Sequence, residues 1–366
     1  MTGPGRAHAT DQWNGEALRR TRFESIGRYT PETVRSTAEL VAGLGVPGIT
    51  DLELLTGVEN RRVCASGPDG DESSFDLAVR AIEDCLRHSD YTAAELDIIV
   101  SGSIIRTRRR GIHCGAPPFA LMLRNAIGAH RARCLDVSNA CAGMITGVLV
   151  LDRMIKAGVV RNGLVVSGEQ LSPAAETAVR EISTRTDPQF AALTLGDAGV
   201  AVVMDDRGDD DDEIHHVELM TLAEGAELCL GMPSNRSNGI ALYTDTRTMQ
   251  SDAHYRQGLD RLATVAASTG QGRSGANFDF CIYHQFSEPA IDHLHEMAGQ
   301  RFGAPVPTSL KVLRDYGNTG STSHFLVLHE HLRQQRIPKG SKLLMFAQAS
   351  GIVGGGLAAT VSRLEA

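Results

Sequence analysis

Residues 133–168 read RCLDVSNACAGMITGVLVLDRMIKAGVVRNGLVVSG, and this stretch decides the fold class. Positions 133–137 have the make-up of a short strand. The chain then turns through small residues. Over 144–157 apolar side chains fall on almost every face of a helical projection. Such a helix has no solvent face, so it belongs at the centre of a large core. Positions 163–168 (GLVVSG) form a short apolar run between glycines, as expected of a strand covered on both faces. Strand, central helix and doubly buried strand imply a layered α/β fold with mostly parallel strands.

The same alternation continues in both directions. Over 73–89 (SSFDLAVRAIEDCLRHS), Phe75, Ala78, Val79, Ile82 and Leu86 recur at helical spacing with polar residues opposite. A buried strand ending at a glycine follows at 96–103 (LDIIVSGS), then a helix at 118–127 and another buried strand at 198–204. Beyond the midpoint the style repeats. Strands are expected at 278–284, 342–349 and 356–361, and helices at 288–300 and 323–334. Two similar halves suggest an internal duplication. The expected units are a mobile tail at 1–15, a first half at 16–205, a connecting loop at 206–213 and a second half at 214–366. Asp205 to Glu213 holds seven acids and one arginine, and is read as a solvated loop.

Composition narrows the function. The chain has 366 residues, 42% hydrophobic and 22% charged, the balance of an ordinary globular protein. Its net charge is −8, most of it in that acidic run, which gives no electrostatic reason to bind nucleic acid. No run of apolar residues is long enough for a membrane span, and the opening residues lack the apolar core of a signal peptide. Seven scattered cysteines without a CxxC pair argue against a disulfide framework or a zinc ribbon. A reduced, cytoplasmic protein is expected, with at least one cysteine kept for chemistry.

Cys141 is the first candidate. It sits where a strand turns into a buried helix, facing the positive end of the helix dipole, which favours a thiolate. Ala142 and Gly143 allow close approach of a ligand. A packed core cysteine is the alternative. A nucleophilic cysteine needs a partner. His215, His216, His293, His295, His329 and His331 fall in polar or helical surface patterns. His284 instead ends a buried strand and precedes a helix, where active-site residues of parallel sheets gather. Asn318 lies in YGNTGSTS between glycines and hydroxyls, either a simple turn or a neutral donor. The glycines at 354–356 follow a buried strand, either as a tight turn or as backbone N–H groups open to an oxyanion.

Taken in order, LTGVENRRV (55–63), DVSNACAG (136–143), LVVSGEQLS (164–172), LGDAGVAVVM (195–204), YHQFSEPAI (283–291), YGNTGSTS (316–323) and GGGL (354–357) resemble the β-ketoacyl-acyl carrier protein synthase III family of thiolase-fold condensing enzymes. The resemblance runs from about residue 22 to the C-terminus. It implies a thiolase-like fold of two duplicated βαβαβ halves in α-β-α-β-α layers, usually as a homodimer. It implies catalytic roles for Cys141, His284 and Asn318, and an oxyanion hole from the N–H groups of Cys141 and Gly354. The partners implied are acyl-coenzyme A or acyl carrier protein, with no metal or redox cofactor. Asn318 separates this chain from synthases that use two histidines. No cysteine follows Cys281, unlike thiolases. Hydroxymethylglutaryl-CoA synthases need a glutamate base; Glu72 is the candidate here, but it also suits a helix start.

Two features depart from the family. The Trp-x-x-x-Arg segment that grips coenzyme A is replaced by Asp51-Leu-Glu-Leu-Leu-Thr-Gly-Val, and the only tryptophan is Trp13. Val353 precedes the terminal glycines, and Ala358-Ala359 follow, so a reshaped or roomier acyl pocket is expected. Arg106, Arg108, Arg109 and Arg110 form a basic cluster without an acid. It is either an exposed loop or a landing patch for a phosphopantetheine phosphate or an acidic carrier. The leading reading is decarboxylative condensation. The alternatives are acyl transfer to a hydroxyl, amine or thiol, and a non-catalytic scaffold.

Overall fold

Residues 19–44, 46, 51–65, 72–108, 112–268, 278–302 and 307–366 are described by the computed structural model. The tail expected at 1–15, and Arg109 and Arg110, lie outside the described residues.

The first half supplies strands β1 (Arg22–Tyr29), β2 (Ile98–Ser101), β3 (Arg133–Asp136), β4 (Asn162–Glu169) and β5 (Ala198–Asp205). They form one sheet in the order β1-β5-β4-β2-β3. The second half supplies β6 (Glu213–Thr221), a hairpin β7 (Cys229–Pro233) and β8 (Ile240–Thr244), then β9 (Phe280–Tyr283), β10 (Thr308–Leu310), β11 (Ser341–Ala349) and β12 (Val353–Val361). Its sheet runs β6-β12-β11-β9-β10. Leaving the hairpin aside, both sheets follow the order first-fifth-fourth-second-third. In each, the second strand is parallel to its two neighbours, and the fifth is antiparallel to both of its own. The duplication is therefore visible in topology. Four of the five strands in each sheet point the same way, as the mostly parallel reading expects; only the fifth runs against the others, which makes its two pairings antiparallel.

The helices that matter are α1 (Ser74–Arg87), α2 (Phe119–Ala126), α3 (Gly143–Lys156), α4 (Ser172–Glu181), α5 (Asp252–Ser268), α6 (Glu288–Phe302) and α7 (Ser323–Arg333). Ser73 caps α1, its side chain accepting from the Asp76 N–H. The largest core joins α3 (Met144, Ile145, Val148, Leu151) and α7 (Phe325, Leu326, Val327, Leu328) to the inner faces of both sheets. A second core packs α1 and α2 on the outside of the first sheet. A third packs α5 and α6 on the outside of the second. The result is five layers, α-β-α-β-α. Among the described residues no helix is long and apolar enough to cross a membrane.

Two expectations fail for one reason. Residues 206–212 link β5 to β6, and Asp210 and Asp211 are exposed as expected, but the other carboxylates are paired or buried. Arg22 grips Asp205 with two hydrogen bonds, of 2.9 and 3.0 Å, and lies 3.8 Å from Asp212. Arg363 reaches Asp209 at 2.6 Å and Asp212 at 3.1 Å, Arg161 reaches Asp206 at 3.2 Å, and Arg20 pairs with Asp210 and Glu213. Asp205 and Asp212 are fully buried. Likewise His329 and His331, read as surface residues, are buried on α7. Polar residues fall on every face of that helix, and ion pairs make their burial tolerable. Arg28 reaches Glu330 at 2.5 Å, and Arg333 reaches it at 2.9 Å. An ionised group inside a core persists when paired and costs several kcal/mol when not.

Candidate active site

Cys141 is seated by backbone. The Asp136 carboxylate, at the end of β3, accepts from the Phe119 and Ala120 N–H groups at 2.7 and 2.8 Å and so ties the strand to the start of α2. Ala140 has φ +45°, an unfavourable conformation for a residue with a Cβ, stored beside the nucleophile. Cys141 follows in the short 3-10 turn Ala140–Ala142 that leads into α3. The start of α3 lies directly against the end of β2. A Cβ on Gly143 would sit 2.2 Å from the Gly102 carbonyl oxygen, so only glycine allows this approach.

The backbone N–H groups of Cys141 and Ser350 act on the Cys141 sulfur. They pull its pKa down, but burial pushes it up and wins, with Cys229 and Glu169 adding to the rise. Burial thus works against the thiolate that the helix dipole favours. Ser350 lies in the turn between β11 and β12, where Gly351 has φ +74° and Ile352 φ +44°. Gly354, expected as the second oxyanion donor, lines the cavity but lies inside β12, in register with both Met220 and Gln348. A residue inside a ladder spends its N–H on a neighbouring strand. Both Ser350 and Gly354 line the cavity that holds Cys141.

His284 follows β9 directly and is 5% exposed. Its Nδ1 is buried without a partner. A proton there would be an orphaned donor, so the neutral ring carries its proton on Nε2. Burial, reinforced by His324, lowers the His284 pKa to about 3, which keeps the ring neutral. The His324 and Phe286 rings flank it, each 5.8 Å away and tilted by 24° and 29°. His324 is fully buried and sits 2.8 Å through Nε2 from the Phe346 carbonyl. A carbonyl only accepts, so that nitrogen holds the proton.

Asn318 has its polar atoms assigned one by one. Its N–H donates to the Thr194 carbonyl (2.8 Å), its carbonyl accepts from Gly196 (3.0 Å), and its Oδ1 accepts from the Gly320 N–H (3.0 Å). This orients the side-chain amide and leaves the NH2 for a ligand. Behind it, Glu169 accepts from Ser321 and Ser167 (2.6 and 2.8 Å) and from the Ile104 and Ile105 N–H groups (2.9 and 3.2 Å). Burial raises its pKa to about 7 against those four donors.

Cys141, His284, Asn318 and Gly354 all line one cavity of about 620 Å³. Arg106 is not among its lining residues. It lies 3.4 Å from Asp136, half-buried, while Arg108 is exposed and stacks over the Phe75 ring at 4.7 Å. Glu72 stands at the start of α1, accepting from the Tyr29 hydroxyl at 2.6 Å and pairing with Arg80 at 2.8 Å; it does not line the cavity. Sequence reasoning missed Ser350, His324, Glu169 and Cys229. Ser350 acts through its backbone and so has no side-chain signature. Glu169 could have been found as the one acid in a strand buried on both faces.

Residues 135–223 match the family described as 3-oxoacyl-[acyl-carrier-protein] synthase III, and residues 271–361 match its C-terminal family. A β-ketoacyl-[acyl-carrier-protein] synthase III from Listeria monocytogenes is 25% identical over 334 residues, covering 91% of this chain and 96% of the relative. An OleA structure from Xanthomonas campestris superposes with TM-score 0.78 at 21% identity, over 94% of this chain and 98% of that one. A 3-oxoacyl-[acyl-carrier-protein] synthase III from Aquifex aeolicus gives 0.76 at 21%, over 93% and 99%. At such identities the superpositions speak for the fold.

Proposed function

We propose that this chain, a β-ketoacyl-acyl carrier protein synthase III-like condensing enzyme of thiolase fold, loads an acyl group on Cys141 and condenses it with a malonyl thioester. In the first half-reaction the Cys141 sulfur attacks an acyl thioester. The tetrahedral oxyanion is held by the N–H groups of Cys141 and Ser350, which already act on the sulfur. The carrier thiol leaves with the proton that Cys141 gives up.

In the second half-reaction His284 Nε2–H and the Asn318 NH2 donate to the malonyl thioester carbonyl. Loss of carbon dioxide leaves an enolate, which these donors stabilise. Its carbon attacks the acyl-Cys141 carbonyl and the thiol is released. Donors that stay neutral suit this step, because they meet charge only as it develops. The neutral His284, the oriented Asn318 amide and the cysteine sulfur in one cavity carry this reading. As proposed, the reaction needs no metal or redox cofactor. A homodimer supplied by acyl-coenzyme A or an acyl carrier protein, in a reducing cytoplasm that keeps the free thiols intact, completes the proposal.

Intact mass after exposure to acyl donors tests it, with Cys141→Ala as control. Support is an adduct absent from the variant and discharged by malonyl thioester with release of carbon dioxide. An adduct discharged only by an alcohol, amine or thiol moves the assignment to simple acyl transfer. No adduct from any donor sinks the role of Cys141.

A further inference from the structure

The cavity holds far more than a two-carbon group. Its volume of about 620 Å³ equals that of roughly twenty water molecules. Leu171, Phe190 and Leu242 give it apolar walls toward the first half. Toward the second half it runs where α5 faces β12, and there the side chains are missing. A Cβ on Gly258 of α5 would meet only the Met220 methyl, at 3.7 Å. A Cβ on Gly354 of β12 would meet the same methyl at 3.1 Å. All three residues line the cavity. Two glycines widen the space, and the flexible thioether of Met220 lies across it. Methionine adapts to irregular apolar shapes better than a branched side chain.

We infer that the acyl group carried by Cys141 is an aliphatic chain of octanoyl length or longer, whose tail lies against Gly258, Met220 and Gly354. An apolar space of this size has no use for an acetyl group, and water gains little in it. This inference rests on the proposed loading of Cys141 and specifies what is loaded.

The test is a series of saturated straight-chain thioesters from acetyl to palmitoyl, presented on both coenzyme A and an acyl carrier protein, with Cys141 loading followed by intact mass. Each methylene buried contributes about a fourfold gain. Loading efficiency is therefore expected to climb about fourfold per carbon and to peak at octanoyl or beyond. Gly258→Leu, which fills the space from the helix, is expected to move the peak to shorter chains. Met220→Phe is expected to do the same from the facing strand and covers the case where one variant misfolds; thermal melting identifies such a case. Acetyl loading as fast as octanoyl overturns the inference while leaving the condensing reading intact. So does an equal loss at every chain length in both variants. No adduct at any length from either carrier overturns the reading on which it rests.

Discussion

The two halves share a strand order and a pattern of strand directions, yet they finish corresponding corners differently. In the first half, the residue after the second strand is Gly102, and the helix after the third strand opens with Gly143; their backbones touch. In the second half, the residue after the second strand is His284, and the matching helix carries His324 in its first turn; here two imidazoles stack. One corner closes tightly and presents a sulfur. The other is held open and presents neutral donors. A duplicated scaffold thus gives two corners facing one cavity, and in the proposed reaction the side chains at those corners divide the labour. Active sites of open α/β sheets gather at such strand ends because the loops there can vary without disturbing the ladders.

The sharpest way to break this comparison is to disable each corner separately. Cys141→Ala should lower acyl loading at least about 10³-fold, while malonyl decarboxylation persists. His284→Ala or Asn318→Ala should lower condensation about 10²–10³-fold with a far smaller effect on loading. Radiolabelled malonyl turnover beside intact mass reads both. Equal losses in both half-reactions would refute the division.

The next effect is on stability. Gly143→Val must push its Cβ into the Gly102 carbonyl, and about 3 kcal/mol of destabilisation is expected from denaturant midpoints. A cost below about 1 kcal/mol would mean the tight corner yields easily.

The open corner is probed by pH. Burial lowers His284 to about 3 and His324 to about 4, both below the unfolded value of about 6.5. The unfolded chain therefore binds more protons below pH 6.5. The stability these rings contribute is complete above about 6.5 and is lost as pH falls toward about 4 and then 3. Glu169, raised to about 7, acts the other way between about 4.5 and 7. Comparing wild type with His324→Phe cancels Glu169. The variant should lose less stability between pH 6.5 and 4, and parallel curves would count against a buried neutral pair. The smallest effect belongs to the basic loop. Arg108→Glu should raise the KM for carrier-bound donor a few-fold without moving kcat, if the exposed guanidinium meets an acidic partner. Unchanged kinetics would assign Arg108 to its contact with Phe75.

Legibility in the sequence followed the same division. β4 and β5 were readable because a strand covered on both faces carries a continuous apolar run at its centre. The position of Cys141 was readable from one helix with no polar face. The matching role of α7 was not, because Ser323-His-Phe-Leu-Val-Leu-His-Glu-His carries polar residues on every side. Arg28, from the other end of the chain, joins Arg333 in pairing the buried Glu330. The acidic crossover was misread for the same reason: Arg22 is 183 positions from Asp205, and Arg363 is 151 from Asp212. Periodicity reports local partners and is silent about distant ones. His284 was singled out as the end of a buried strand and Asn318 by its small-residue context, whereas Ser350 offers only a peptide N–H, which any residue could supply.

That crossover has a consequence for how the chain can be divided. Arg20 and Arg22 from the first half and Arg363 from the second all close on residues 205–213, so the charges that hold the bridge do not depend on the bridge being unbroken. A nick between Gly208 and Asp209 would leave each fragment with a whole five-stranded sheet, a central helix and matching charges at the cut. The pair would behave as two complementary subunits of one enzyme, neither complete without the other, since one keeps the sulfur and the other the donors that make it useful.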